Sequence, residues 1–305
     1  MKDDLVSVII LSYNQLDILN ETIDSILEQD YHNIEIIISD DGTKEFKNDY
    51  YYEYINKRKK NNIKNVIINS NNKNLGVVKN YNKGLSLSNG KYIKFIDGDD
   101  VFFNNKSLSE LVNFMKENDS LIVTGNMLFC DENMNQLPIA NKKIKYFRRY
   151  LPLGKNPEIF FKKLAIEDVI PNPAVLFNRK VFELYGVYDE DYMHLDDWTM
   201  FLKVVRLGCK IDYLDTITIK YRFGRGVSIN KKQNNIFFND TIKCYKKEII
   251  PYKKQLGYWA YKNAMWRYER GYRFEEYSLV EKLIFFIKNL DTIIMKVPKR
   301  MFGVF

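Results

Sequence analysis

Cysteine is scarce: Cys130, Cys209 and Cys244 are the only three in 305 residues. They are odd in number and far apart. No disulfide framework and no CxxC or Cys/His zinc spacing is present, which suits a reducing cytosol. Histidine is scarcer still, with only His32 and His194, and no Ser/His/Asp set is evident. No apolar run approaches the roughly 18 residues that span a bilayer. The opening MKDDLVSVIILSYN has an acidic lead and a short apolar stretch, which is not a signal peptide. A cytoplasmic protein is therefore expected. There is no GxGxxG after the first apolar run and no P-loop signature, so dinucleotide oxidoreductases and P-loop nucleotidases lose their support. Internal repeats and low-complexity linkers are also missing.

What is present begins with charge. The formal net charge is +8. Residues 231–305 hold sixteen Lys/Arg against seven Asp/Glu, so the rest of the chain is close to neutral. A basic C-terminal third suits an anionic neighbour, or else a solvated lysine-rich helical face. The apolar fraction of 46% is that of an ordinary globular protein.

Apolar spacing then sets the fold class. VSVIILSY, IEIIISDDG, NVIINS and YIKFID are short continuous runs, as in strands covered on both faces. Between them, residues such as Leu16, Leu19, Ile23 and Ile26 recur at helical spacing, with Asn14 as the expected N-cap. The first hundred residues read β-α-β-α-β-α-β, which predicts a mostly parallel sheet flanked by helices. Residues 101–229 read as mixed strand and helix, and residues 230–305 as a helical extension.

Such sheets bind ligands at the carboxyl ends of their strands. The polar clusters fall there: Ser12, Tyr13 and Asn14; Asp40 and Asp41; and Asp97, Gly98, Asp99 and Asp100. Asp97 and Asp99 can converge on a hard divalent cation, Mg2+ or Mn2+, whose remaining ligands would be diphosphate oxygens. A solvated Asp-Gly turn is the alternative. Asp40 suits either a base or ribose contact or an Asx-turn before Gly42. Asp196 and Asp197 open a helix as first-turn acids or serve as a general base. Arg222 and Arg225, among glycines, read as a loop that closes over a diphosphate or as an ordinary basic loop.

Taken in order, VSVIILSYN, LNETIDSILEQDY, IEIIISDDGT and NKNLGVVKNYNKGLSLSNGKYIKFIDGDD resemble family 2 glycosyltransferases of the GT-A fold. The likeness resumes at PAVLFNRKVFELYGVYDEDYMHLDDWTMFLKVVRLG and covers about two-thirds of the chain. It implies a nucleotide-binding half over about 1–100, an acceptor half over 101–229, and an inverting, metal-dependent transfer from a UDP-sugar. It places Ser12, Tyr13 and Asn14 on the nucleotide, Asp40 on the base, and Asp97 and Asp99 on the metal. Asp197 stands at the general-base position with Asp196 beside it, where the family usually has Glu. Asp41, Lys79, Gly98, Arg222 and Arg225 complete the expected donor set, and Gly224 stands where a His is common. The implied acceptor is a saccharide on a polyprenyl diphosphate, as in capsule or O-antigen assembly.

In SLVEKLIFFIKNLDTIIMKVPKRMF the apolar residues again recur at helical spacing, flanked by lysines. That segment fits an interfacial helix on an anionic membrane, peripheral on the inner face. It also fits packing on the catalytic domain or on a second subunit. Nucleic-acid binding has only the basic pI of about 9.0 behind it, and no such partner is expected. A sugar-nucleotide pyrophosphorylase would carry a Gly-rich, Arg-containing loop that LSYNQLDI lacks. A catalytically dead homologue conflicts with the intact acidic sites.

Overall fold

The computed structural model describes residues 4–224, 231–274 and 277–292. Among these, eight strands form one sheet in the order β3-β2-β1-β4-β7-β6-β8-β5. The strands β1 (Val6–Ser12), β2 (Ile34–Asp40), β3 (Ile63–Ser70) and β4 (Tyr92–Asp97) are parallel. They match the four continuous apolar runs, and every residue of β1 and β2 is buried. The second half of the sheet is mixed. β7 (Val175–Asn178) runs antiparallel to both β4 and β6 (Ile122–Cys130). β8 (Asp212–Arg222) is parallel to β6, and the short β5 (Val101–Phe102) is antiparallel to β8.

The helices α1 (Leu19–Leu27), α2 (Asn48–Arg58) and α3 (Val77–Leu87) are the crossovers of the parallel half. α1 turns Leu19, Ile23, Ile26 and Leu27 inward, the stripe its spacing demands. Asn14 is not its N-cap. The helix starts five residues later, after a turn in which Ile18 and Leu19 both donate to the Gln15 carbonyl. Asn14 instead takes φ 56, a left-handed conformation that Asn tolerates. The chain thereby turns away from β1 before the helix begins.

The middle of the chain holds α4 (Ser107–Glu117), α5 (Ala140–Tyr150), α6 (Pro157–Leu164), α7 (Lys180–Tyr185) and α8 (Asp197–Arg206). α3 packs over β1 and β2, and α8 packs on α6. An aromatic cluster of Tyr81, Phe95, Phe177, Phe182 and Tyr188 ties α3, β4, β7 and α7 together.

The C-terminal region comprises α9 (Lys231–Cys244), a π turn over Tyr245–Ile249, α10 (Lys253–Tyr272), bent at Gly257, and α11 (Leu279–Lys288). Much of it is wired onto α8 and the loop before it. Tyr245 packs edge-on to Trp198 of α8. Arg206 pairs with Glu248, and Lys247 with Asp189 and Asp191. α11 is different: Leu279 is 86% and Leu283 61% exposed, and within the helix only Phe285 is buried.

Candidate active site

β1 and β4 lie side by side while their crossover helices leave in different directions, so a crevice opens at their carboxyl ends. A cleft of about 670 Å³ sits there. Its walls include Ser12, Tyr13 and Asn14 from the end of β1, Asp41 from β2, Asp97 and Asp99 from β4, and Asp196 and Asp197 from the start of α8. Residues from four distant stretches of sequence thus meet in one place.

The turn after β4 is tightly built. The Asp100 N–H donates to the Asp97 carbonyl at 3.0 Å, and the Gly98 N–H to the Leu11 carbonyl at 2.8 Å. A Cβ at residue 98 would stand 2.7 Å from Gln15 Oε1 and 3.2 Å from Leu19 Cδ1, so a larger residue between the two aspartates would have to displace the Gln15 side chain. Asp97, Asp99 and Asp100 bring carboxylate oxygens within 4.8 Å of one another. Burial and then the Asp99 charge push the Asp97 carboxyl up to about 7. Burial and the same neighbours push Asp100 well above the usual carboxylate range. Asp100 Oδ1 accepts the Arg222 N–H at 2.9 Å, while its buried Oδ2 has no partner among the described residues. Three hard oxygen donors that repel one another, with an orphan oxygen among them, fit a small divalent cation such as Mg2+ or Mn2+. Lys94 lies behind this turn, fully buried, donating to the Phe95 carbonyl at 2.6 Å and to the Pro173 carbonyl. Burial drives its ammonium down to about 7, so it offsets the acidic cluster only in part.

The second acidic pair is divided by its surroundings. Asp196 is buried and accepts from Asn172 Nδ2 at 3.3 Å, and Asn172 also donates to the Tyr81 hydroxyl at 2.9 Å. Burial, then the charges of Asp197 and Asp97, raise Asp196 well above its ordinary value. Asp197 is partly exposed to the cleft, and its Oδ1 accepts the Trp198 N–H at 2.7 Å. Burial raises its pKa, while backbone N–H groups at the start of α8 act the other way. Asp168 is a third member that sequence reading missed: burial and the Asp197 charge hold it well above its ordinary value. A single acid before a strand carries no signal of its own; only the packing of α6 on α8 brings it close.

The remaining expected residues divide. Asp40 does not line the cleft. Its oxygens accept from the Thr43 N–H at 2.7 Å, the Thr43 hydroxyl at 2.6 Å and Ser70 at 3.2 Å. Thr43 Oγ1 in turn accepts the Asn14 N–H at 2.8 Å, so Asp40 shapes the first segment from beneath. Asp41 does line the cleft, holding the Leu75 and Gly76 N–H groups, each at 2.9 Å. Lys79 is exposed and faces a different cleft, beside Asn82, Arg179 and Glu190.

Arg222 is the last residue of β8 rather than part of a loop, and it is 2% exposed. Its guanidinium reaches the Asp99 carbonyl at 3.0 Å, Glu21 Oε2 at 2.6 Å and the Glu132 carbonyl. Arg225 lies outside the described residues. Asn80, Asn172, His194 and Tyr221 also line the cleft. They come from helix, turn and strand positions whose spacing advertises only burial.

Residues 7–186 match the family described as Glycosyl transferase family 2. The chain belongs to glycosyl transferase family 2. This glycosyltransferase is 29% identical over 258 residues to an uncharacterized glycosyltransferase of Haemophilus influenzae, a match covering 81% of this chain and 74% of that one. It is 28% identical over 254 residues to the Escherichia coli UDP-Glc:alpha-D-GlcNAc-diphosphoundecaprenol beta-1,3-glucosyltransferase WfaP, covering 81% and 90%. Its structure resembles S. aureus TarS 1-349 with a TM-score of 0.61 at 18% identity, over 98% of this chain and 82% of that one. It also resembles the mannosyltransferase PcManGT from Pyrobaculum calidifontis in complex with GDP-Man and Mn2+, at 0.59 and 15%, over 97% and 82%. These likenesses establish the GT-A fold.

Proposed function

We propose that this glycosyltransferase moves a hexose or N-acetylhexosamine from a UDP-sugar to a hydroxyl of a saccharide carried on a polyprenyl diphosphate, with inversion at the anomeric carbon. One observation carries the reading: a converging carboxylate cluster and a separate acid at a helix start share one cleft at the β1/β4 crevice. TarS has been crystallised with UDP-GlcNAc, PcManGT with GDP-Man and Mn2+, and WfaP is named for a diphosphoundecaprenol-linked acceptor.

In this mechanism Ser12, Tyr13 and Asn14 bind the nucleoside, with Tyr13 offering a ring face. Asp97 and Asp99 would hold a divalent cation, whose charge, when bound, offsets that of the leaving diphosphate. Asp197 is the base, because Asp196 is buried against Asn172 and Tyr81 whereas Asp197 opens to the cleft. Its carboxylate takes the proton of the acceptor hydroxyl. The acceptor oxygen bonds to the anomeric carbon as the bond to the nucleoside diphosphate breaks on the opposite face. Asp168 lies beside this base, and burial together with the Asp197 charge raises its carboxyl above the ordinary value.

Among the described residues no helix is long and apolar enough to cross a membrane. Membrane contact would instead come through α11, whose exposed Leu279, Val280, Leu283 and Ile287 adjoin Lys282 and Lys288. A lipid-linked acceptor gives such a surface its use.

The test is calorimetric titration with UDP, GDP and CDP, with and without Mn2+, on the wild type and on Asp99→Ala. Metal-dependent binding of UDP that the variant loses is the expected result. No binding of any nucleotide would overturn the reading.

A further inference from the structure

His194 is a buried polar group of the cleft with no task in the chemistry above. It is 7% exposed. Burial holds its pKa below the ordinary value, so the ring is neutral at pH 7. Nδ1 is buried without a hydrogen-bond partner among the described residues, and the ring lines the cleft together with Asn172 and Asp196.

The backbone that carries this ring is in the opposite condition. The N–H groups of Met193 and His194 both donate to Oδ2 of Asp240 on α9, at 2.8 and 2.7 Å. The Met193 carbonyl accepts from Val78 N at 3.3 Å, in the first turn of α3. Gly76 allows that approach: its φ is +94°, and a Cβ there would stand 2.6 Å from Met193 Cγ. Helices from the nucleotide-binding half and from the C-terminal region therefore clamp one short segment, and the imidazole it presents has an Nδ1 with no partner among the described residues.

Buried polar groups are nearly always satisfied, so an unpartnered nitrogen on a ring that lines the cleft is placed to meet what the cleft binds. A neutral imidazole offers one N–H donor and one acceptor nitrogen, which complements a hydroxyl. Position selects which hydroxyl. Asp97 and Asp99 mark the diphosphate, and Ser12 to Asn14 the nucleoside. His194 shares its segment with Asp196 and Asp197, beside which the anomeric carbon must lie to be attacked.

We infer that His194 determines donor specificity: its imidazole hydrogen-bonds a ring hydroxyl of the transferred sugar, and Asp240 acts as the positioning residue that holds it there. This rests on the glycosyltransfer reading above.

The experiment compares wild type, His194→Phe and His194→Gln by calorimetric titration with Mn2+ present. The ligands are UDP, UDP-glucose, UDP-galactose, UDP-N-acetylglucosamine, GDP and GDP-mannose. The Phe variant keeps the ring's bulk without its nitrogens; the Gln variant keeps polar atoms and decides the matter should the Phe variant fail to fold. Affinity for the bare nucleotide is expected to stay within about twofold, whereas the ratio between the best and worst sugar on that nucleotide falls about tenfold, the loss of one hydrogen bond. The Gln variant is expected to retain part of the ratio. An unchanged ratio, or a bare-nucleotide affinity that falls in step with every nucleotide-sugar, overturns the inference. So does a wild type that binds the nucleotide with no preference among sugars. A wild type that binds no nucleotide at all refutes the glycosyltransfer reading, and this inference with it.

Discussion

Replacing Arg222 with methionine separates two roles that an arginine beside a diphosphate site can play. In the structure its guanidinium is buried and holds three oxygens: the Asp99 carbonyl, the Glu132 carbonyl and Glu21 Oε2. Methionine fills similar volume and donates nothing. Glu21 is half-exposed and rehydrates, so losing that pair costs about 1 kcal/mol at most. The two carbonyls lose a charged donor, at roughly 1.5–3 kcal/mol each. The sum is about 3–7 kcal/mol, and in a chain of this size each kcal/mol moves Tm by roughly 2 °C, so a fall of about 6–14 °C follows. Because Asp99 is anchored through its carbonyl, its carboxylate is also released from the metal cluster, and Mn2+-dependent UDP affinity is expected to fall about tenfold. Arg222→Lys keeps the charge without the planar fork and should recover only part of either loss. Thermal unfolding without metal and calorimetry with it read the two effects. A variant whose Tm moves by less than about 2 °C while nucleotide binding disappears would refute this account. It would mean that the guanidinium leaves Glu21 to close on the diphosphate.

Metal binding should carry a pH signature. Asp97 rises from its ordinary 3.8 to about 7 in the folded protein. A carboxyl raised on folding stabilises the fold below its unfolded pKa, and that contribution is lost as pH climbs through the folded value. The metal-free protein therefore loses this term between about pH 4 and 7, and the gain in Tm on adding Mn2+ should grow across the same window. A gain independent of pH would place the metal elsewhere. Asp197→Asn should leave UDP affinity within about twofold and lower transfer by at least the 100-fold typical of a lost general base; equal losses in binding and turnover would count against it. Gly76→Ala meets both a positive φ and the Met193 side chain, so it should lower thermal stability by more than the roughly 1 kcal/mol of an ordinary Gly→Ala mismatch. It should also weaken sugar selectivity along with stability, and unaltered melting would speak against the clamp. Leu283→Glu on α11 should abolish co-sedimentation with vesicles rich in phosphatidylglycerol and leave UDP binding unchanged; retained sedimentation would dismiss α11 as the membrane surface.

Much of the fold was readable because it rests on local periodicity. Four buried parallel strands must be continuous apolar runs, and VSVIILSY, IEIIISDDG, NVIINS and YIKFID are such runs. The strand-end acids were readable for the same reason: a charge that closes an apolar strand can only stand at the sheet's rim. In the middle of the chain, α4 and α5 do carry helical spacing, with Leu108, Leu111, Val112 and Met115 on one and Ala140, Ile144 and Phe147 on the other, whereas the reversal of β7 between β4 and β6 leaves no local trace. The start of α1 was misplaced because Asn serves equally as a helix cap and as a left-handed turn residue. Only the hydrogen bond from Asn14 to Thr43 selects the second.

Sequence by itself determined the parallel half of the sheet and which acids stand at the carboxyl ends of its strands. These depend on residue type and near neighbours along the chain. Tertiary structure alone decided how each acid is held. Asp40 turned out to be held by Thr43 and Ser70 while Asp41 faces the cleft. Asp196 is buried on Asn172 and Tyr81 while Asp197 is open. Arg222 lies against Glu21 and Asp99 rather than in a loop, and α9 holds the segment of His194 through Asp240. A carboxylate's charge state and reach depend on burial and on partners brought in from distant parts of the chain, and only packing sets those.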